Sequence, residues 1–185
     1  MVSALARHTG RLLSQKAHTR WLWRGRTVEL VDGTGLSMPD TPENQAVYPQ
    51  PSTQANGVGF PLARLVMVIC LATGAAPDAA IGPHQGKGSG ELGLVRQVRQ
   101  VLGNLRRGDV MLADALYSNY FLIAPLMAVG VGVLFEQNGS RITDFRRGQP
   151  LGTRDHFVRW PKPTTRPPWM THEQYAERAR ENHVA

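Results

Sequence analysis

With 185 residues, 42% of them hydrophobic and 19% charged, the chain is long enough for one domain with a real core and too apolar for a disordered polymer. Its formal net charge of +7 favours a polyanionic partner such as nucleic acid. One cysteine excludes an internal disulfide, and no run reaches the roughly 18 apolar residues that span a membrane. Arg7, Arg11 and Lys16 lack the apolar stretch of a secretory signal behind them, so a soluble cytoplasmic protein is expected.

In chain order, residues 1–26 are basic and polar, with Trp21 and Trp23 near their end, and read as a helical lead-in without a core of its own. TVELVD (27–32) is rich in β-branched residues and stops at Gly33, the pattern of a buried strand. Residues 38–59 carry Pro39, Pro42, Pro49 and Pro51, which argue for a loop rather than a helix or a central strand. FPLARLVMVICLATG (60–74) is a continuous apolar run, one buried strand or a strand pair, and places Cys70 in the core. From Ser89, the residues Leu92, Val95, Val98, Leu102 and Leu105 recur at helical spacing, and Arg106-Arg107-Gly108 closes that helix. DVMLADA (109–115) reads as the next buried strand, and Asn119 caps a helix running to Met127 and ended by Gly130. The stretch 131–145 reads as a β-hairpin with a type I′ turn at Asn138-Gly139. A proline-rich connector, RWPKPTTRPPW, leads to a short terminal helix with a Thr171/Gln174 capping box and a Met170/Tyr175 hydrophobic staple. The order predicts a mixed α/β domain.

Two aspartates, Asp32 and Asp114, end apolar strand-like runs. Carboxylates at neighbouring strand ends can hold Mg²⁺, a hard cation that takes oxygen ligands and serves phosphodiester cleavage. The plainer reading is that short polar residues commonly end strands. Other signals are weaker. GPHQGKG (82–88) is one residue short of a phosphate-binding loop and lacks the Ser/Thr after its lysine. The histidines form no HxH or HExxH pattern, which with a single cysteine argues against zinc, and no GxSxG is present. Between 141 and 168 the cations Arg141, Arg146, Arg147, Arg154, Arg159, Lys162 and Arg166 outnumber Asp144 and Asp155, and Trp160 and Trp169 flank the connector. Cations interspersed with aromatics suit a nucleic-acid backbone and unstacked bases, or simply a charged face over core tryptophans.

Taken in order, VDGTGLSMPDTPENQAVYPQP, GVGFPLARLV, GPHQGKGSGE, GDVMLADALYSNY, DFRRGQPLGTRDH and WPKPTTRPPWM resemble bacterial DDE transposases of insertion-sequence family four, over roughly residues 17–180. The resemblance implies a ribonuclease-H-like mixed sheet flanked by helices, in residues 27–136, with a β-rich insertion beginning after residue 130. Residues 137–170 would hold the start of that insertion and the connector, and 171–185 a terminal helix and tail. It also implies an Asp-Asp-Glu triad that uses Mg²⁺ or Mn²⁺ to cut and rejoin transposon ends, with Asp32 and Asp114 as the two aspartates. DNA is the implied partner, and a homodimer for a full-length enzyme.

Departures from the family pattern shape the expectation further. Ala115 and Leu116 stand where the family has Arg followed by an aromatic or glycine. Its glutamate belongs to Tyr-x2-Arg-x3-Glu; here Tyr175 and Arg178 are followed by Asn182, with Glu181 one position early. Only 71 residues follow Asp114, and the usual preceding DNA-binding region is missing. The expectation is a transposase fragment, truncated at both ends, with an incomplete core, an exposed apolar sheet surface and little or no cleavage activity. The alternatives are a non-catalytic DNA-binding remnant acting through Arg146, Arg147, Arg159, Lys162 and Arg166, and a nuclease that uses Glu181 as its third acid.

Overall fold

A computed structural model describes residues 2–55, 57–84, 102–139, 141, 144, 146, 148–153, 155–167 and 170–177. Its centre is built from the apolar runs seen in the sequence. β1 (Val28–Ser37), β2 (Leu62–Cys70), β3 (Asp78–Pro83), β4 (Val110–Ala113) and β5 (Gly132–Phe135) form one sheet in the order β3-β2-β1-β4-β5. β1, β2 and β3 pair antiparallel, whereas β1, β4 and β5 run parallel. The fold is mixed α/β, a five-stranded mixed sheet with helices beside it.

Strand periodicity separates two faces. One carries Val31, Val66, Val68, Ala80, Met111 and Ala113, all buried and packed with Tyr117, Leu122, Leu126 and Val131. Full burial of each large apolar side chain here is worth about 1.5–3 kcal/mol. The other face carries Leu30, Leu65, Met67, Ile69 and Leu112, only half-buried, with Ile81 and Leu134 exposed at its two edges.

The basic lead-in holds helix α1 (Val2–Gln15), which is tied to this core. Gly10 lies against Pro77 so closely that a Cβ would sit 2.6 Å from the proline's Cβ. Arg7 Nε donates to Asp78 Oδ2 at 2.9 Å. Asp78 is buried, and it also accepts from Asn104 Nδ2 and from the Ala79 amide. α3 (Tyr120–Ala128), which follows α2 (Pro42–Val47) of the proline segment, begins where expected: Asn119 Oδ1 accepts from the Phe121 amide at 2.9 Å. A second cluster joins Tyr120, Phe121 and Ile123 of α3 to Met170, Trp160 and Tyr175. The terminal helix α4 (His172–Glu177) has its capping box, with Gln174 N donating to Thr171 Oγ1 and Thr171 N to Gln174 Oε1. Among the described residues no helix is long and apolar enough to cross a membrane.

Several expectations are corrected. β1 does not stop at Gly33, because antiparallel pairing with β2 carries it to Ser37. The proline-rich segment contains α2 (Pro42–Val47), since Pro42 occupies the first turn, where its missing N–H breaks no bond, and Thr41 supplies the cap. β3 was not anticipated: DAAIGP has little β-branched character and is held by its edge pairing with β2. Of the hairpin expected at 131–145, the second arm falls mostly outside the described residues. β5 pairs in parallel with β4, and neither Asn138 nor Gly139 has the positive φ that a type I′ turn requires. A small antiparallel sheet, β6 (Gln149–Gly152) with β7 (Asp155–Phe157), follows instead. The helix expected from Ser89 falls mainly on residues 85–101, outside the described residues; its expected end is a 3₁₀ turn at Leu102–Asn104.

Candidate metal centre

The two aspartates meet through strand register. In the parallel ladder of β1 and β4 the last paired residues are Val31 and Ala113, so Asp32 and Asp114 each come next on adjacent strands. Neighbouring strands lie about 4.8 Å apart, and the two-residue period puts both side chains on one side of the sheet, opposite Val31 and Ala113. Both aspartates are exposed. Asp32 Oδ1 accepts from the Gly33 amide at 2.7 Å, and Asp114 Oδ1 accepts from the Leu116 amide at 2.9 Å. The second bond makes Asp114 the cap of a 3₁₀ turn, Ala115–Tyr117, which fixes the carboxylate as the chain leaves β4.

Tyr117 is the buried reporter of this pair. Its hydroxyl is pushed far up from the usual tyrosine range, first by burial and then by the charges of Asp32 and Asp114, with Arg64 opposing. Tyr117 therefore stays a neutral donor at any working pH. Arg64 also helps to hold the His84 imidazole below its usual range, after burial, and His84 Nδ1 is buried without a hydrogen-bond partner. Neither Tyr117 nor Arg64 was tied to the aspartates from the sequence: Tyr117 sits on the turn that Asp114 caps, and Arg64 comes near only through the pairing of β2 with β1.

The same row continues to β5. Phe135 pairs with Ala113, so exposed Glu136 follows Asp114 in the row. Among the described residues, however, no three carboxylate, imidazole or thiolate groups come together to hold a metal ion. What the site offers is two hard oxygen donors on a rigid sheet, each with one oxygen outside the hydrogen bonds above. That donor set fits Mg²⁺ or Mn²⁺, which commonly takes one or two protein carboxylates and fills its shell with water or phosphate oxygens. Glu181 and Arg178 lie outside the described residues.

The basic residues anticipated for DNA are placed differently from one another. Arg159 is exposed. Arg146 is exposed and paired with Asp144 at 2.8 Å. Lys162 donates to the Tyr175 carbonyl at 2.6 Å, with its ammonium over that residue's ring. Arg166 donates to the carbonyls of Met170 and Pro167. Trp160 packs edge-on against Tyr120 and under the Arg141 guanidinium, 3.4 Å from the ring centroid. Arg147, Arg154 and Trp169 lie outside the described residues. Among the described residues, Trp160 packs this segment against α3 and Lys162 and Arg166 bond within it, whereas Arg159 stays exposed.

No protein-family model matches the chain, and no curated protein does. Among solved structures, a chain of a piggyBac transposase synaptic complex with hairpin DNA is 10% identical, aligned over 62% of this chain and 23% of its own length, with a TM-score of 0.40. A chain from the simian T-cell lymphotropic virus intasome in complex with PP2A regulatory subunit B56 gamma is 11% identical, over 59% of this chain and 31% of its own, with a TM-score of 0.37. This chain thus spans about a third or less of the length of either.

Proposed function

We propose that the chain is a DNA-processing domain of the transposase type, of insertion-sequence family four, in which Asp32 and Asp114 hold a divalent cation against a DNA phosphodiester. The observation that carries this is the register: the aspartates that match the family's motifs follow the last parallel pair of β1 and β4. Mg²⁺ or Mn²⁺ bound there would polarise a phosphoryl oxygen and activate water. The two carboxylates supply the fixed negative charge that retains the ion, and the backbone bonds from Gly33 and Leu116 keep them from rotating away.

Cleavage by this chain is weak or absent on this reading, because no third acid joins the pair among the described residues. That arrangement also supports a second reading, a non-catalytic DNA-binding role. Two measurements on the full chain separate them. Lanthanide luminescence or calorimetry with Mn²⁺ should show binding that Asp32→Ala and Asp114→Ala each abolish; binding untouched by both would remove the metal reading. Nicking of supercoiled DNA in Mg²⁺ or Mn²⁺ should be slight, and robust cleavage lost in both variants would overturn the claim of weak activity. Salt-sensitive DNA affinity that ignores Asp32→Ala would favour the second reading.

A further inference from the structure

Six cations and no carboxylate precede Glu29 in the sequence. Three of the six are engaged inside the fold: Arg7 with Asp78, Arg11 with Asn104, and Arg26 with the carbonyls of Gly108 and Asp109. Lys16, Arg20 and Arg24 are exposed, and between them lie two of the largest apolar side chains in the protein, Trp21 and Trp23, 54% and 52% exposed. Leaving two indoles half in water is unfavourable, and an exposed aromatic patch marks a contact surface.

The backbone here is built to display them. Trp21 ends a 3₁₀ turn, Thr19–Trp21, capped by His18 Nδ1 accepting from the Arg20 amide. Trp23 and Arg26 exchange both backbone hydrogen bonds at 2.9 Å around Arg24-Gly25, which have φ of 51° and 76°. This is type I′ geometry, and Arg24 is the sole described non-glycine residue with positive φ. The Arg26 side chain anchors the turn to the start of β4. The guanidiniums of Arg20 and Arg24 lie 5.5 and 5.3 Å from the ring centroids of Trp21 and Trp23. Each cation–indole pair offers a flat face and a positive charge together.

We infer that residues 16–26 form a binding surface for single-stranded DNA, with Trp21 and Trp23 stacking on unpaired bases and Lys16, Arg20 and Arg24 contacting the flanking phosphates. Every base has a π-face, so such a surface tolerates sequence, while a duplex hides the faces it needs. The turn at Arg26 lies about 20 Å from Asp32, roughly six residues of extended chain at about 3.3 Å each. It rests on no part of the metal reading.

The test uses the full chain in EDTA, with a labelled oligo(dT) of about 16 nucleotides. Anisotropy should show salt-dependent binding accompanied by quenching of tryptophan fluorescence. Trp21→Leu/Trp23→Leu should weaken affinity about tenfold or more, while Trp21→Phe/Trp23→Phe, which keeps a stacking ring, stays within about threefold. Both double variants should keep the wild-type urea midpoint, since the indoles are half-exposed. Because EDTA removes any divalent cation, failure of the metal reading leaves this surface standing. Leu variants that bind as wild type would overturn the inference. So would a blunt duplex competing as well as oligo(dT), or capture by anionic vesicles with no oligo(dT) binding.

Discussion

Glu29 makes the stability of this fold depend on pH in a direction opposite to that of an ordinary surface acid. It sits on the buried face of β1, in register with Cys70 and Met111, and is 7% exposed. The Cys70 thiol donates to it, but Oε2 has no partner, and Asp109 lies close enough to repel it. Burial above all, then Asp109, pushes its carboxyl up to about 7. In the unfolded chain the same group ionises near the usual 4.5. Between these values the folded protein keeps a proton that the unfolded chain has released. Stability therefore falls as pH rises through roughly 4.5 to 7 and levels off above. The full difference amounts to about 3 kcal/mol, or roughly 6–12 °C in Tm for a chain of this size. Glu29→Gln removes the titration while keeping the shape. Any cost of burying the amide is independent of pH, so it displaces the curve without changing its slope. Urea midpoints of both proteins from pH 4.5 to 8 provide the measurement. The wild type should lose ground steadily against Glu29→Gln as pH rises, with a small residual slope in both from Asp109, whose carboxyl burial also raises. Curves that run parallel would refute the reasoning.

Asp78→Ala should destabilise the protein by about 2 kcal/mol, read from urea unfolding, because it strands the Asn104 amide and the half-exposed Arg7 that tie α1 and the Leu102–Asn104 turn to β3. Leu134→Lys should change stability by less than about 0.5 kcal/mol, since Leu134 is 62% exposed. The same substitution should lower concentration-dependent light scattering by placing a charge at the edge of the half-covered sheet face.

What could be read in advance depended on how local its cause was. The Asn119 cap, the Thr171/Gln174 box and the apolar runs of β2 and β4 are contained within a few residues, and each is found in place. Pro42 misled because its position within the turn decides its effect, and position is unknown until the helix is drawn. β3 and the partner of β5 depend on pairing with strands that lie far away in the chain; Asn138-Gly139 signals a turn without saying what β5 will pair with. The type I′ turn occurs instead at Arg24-Gly25, where no Asn-Gly marks it and the anchoring by Arg26 holds a strained arginine. Asp32 and Asp114 were legible as candidates, but Arg64 comes near them only through the pairing of β2 with β1.

The geometry around Asp32 follows from β1 having two kinds of partner. On one side β2 runs antiparallel and stays paired to Ser37; on the other, β4 runs parallel and leaves after Ala113. Beyond Val31 the sheet is therefore supported on one side and open on the other, and the opening lies at the carboxyl ends of the parallel strands, where open α/β sheets form their crevices. Asp32 borders that opening while still held in a ladder by Met67, and Asp114 borders it from the 3₁₀ turn it caps. A carboxylate on a free loop would have to give up conformational freedom to bind a cation; these two have given it up on folding. The exposed tryptophans lie at the other end of β1, beyond the reach of any side chain at the opening. A DNA strand engaged at both places must span the stretch from Arg26 to Asp32, about 20 Å, and so must contribute several nucleotides to the contact.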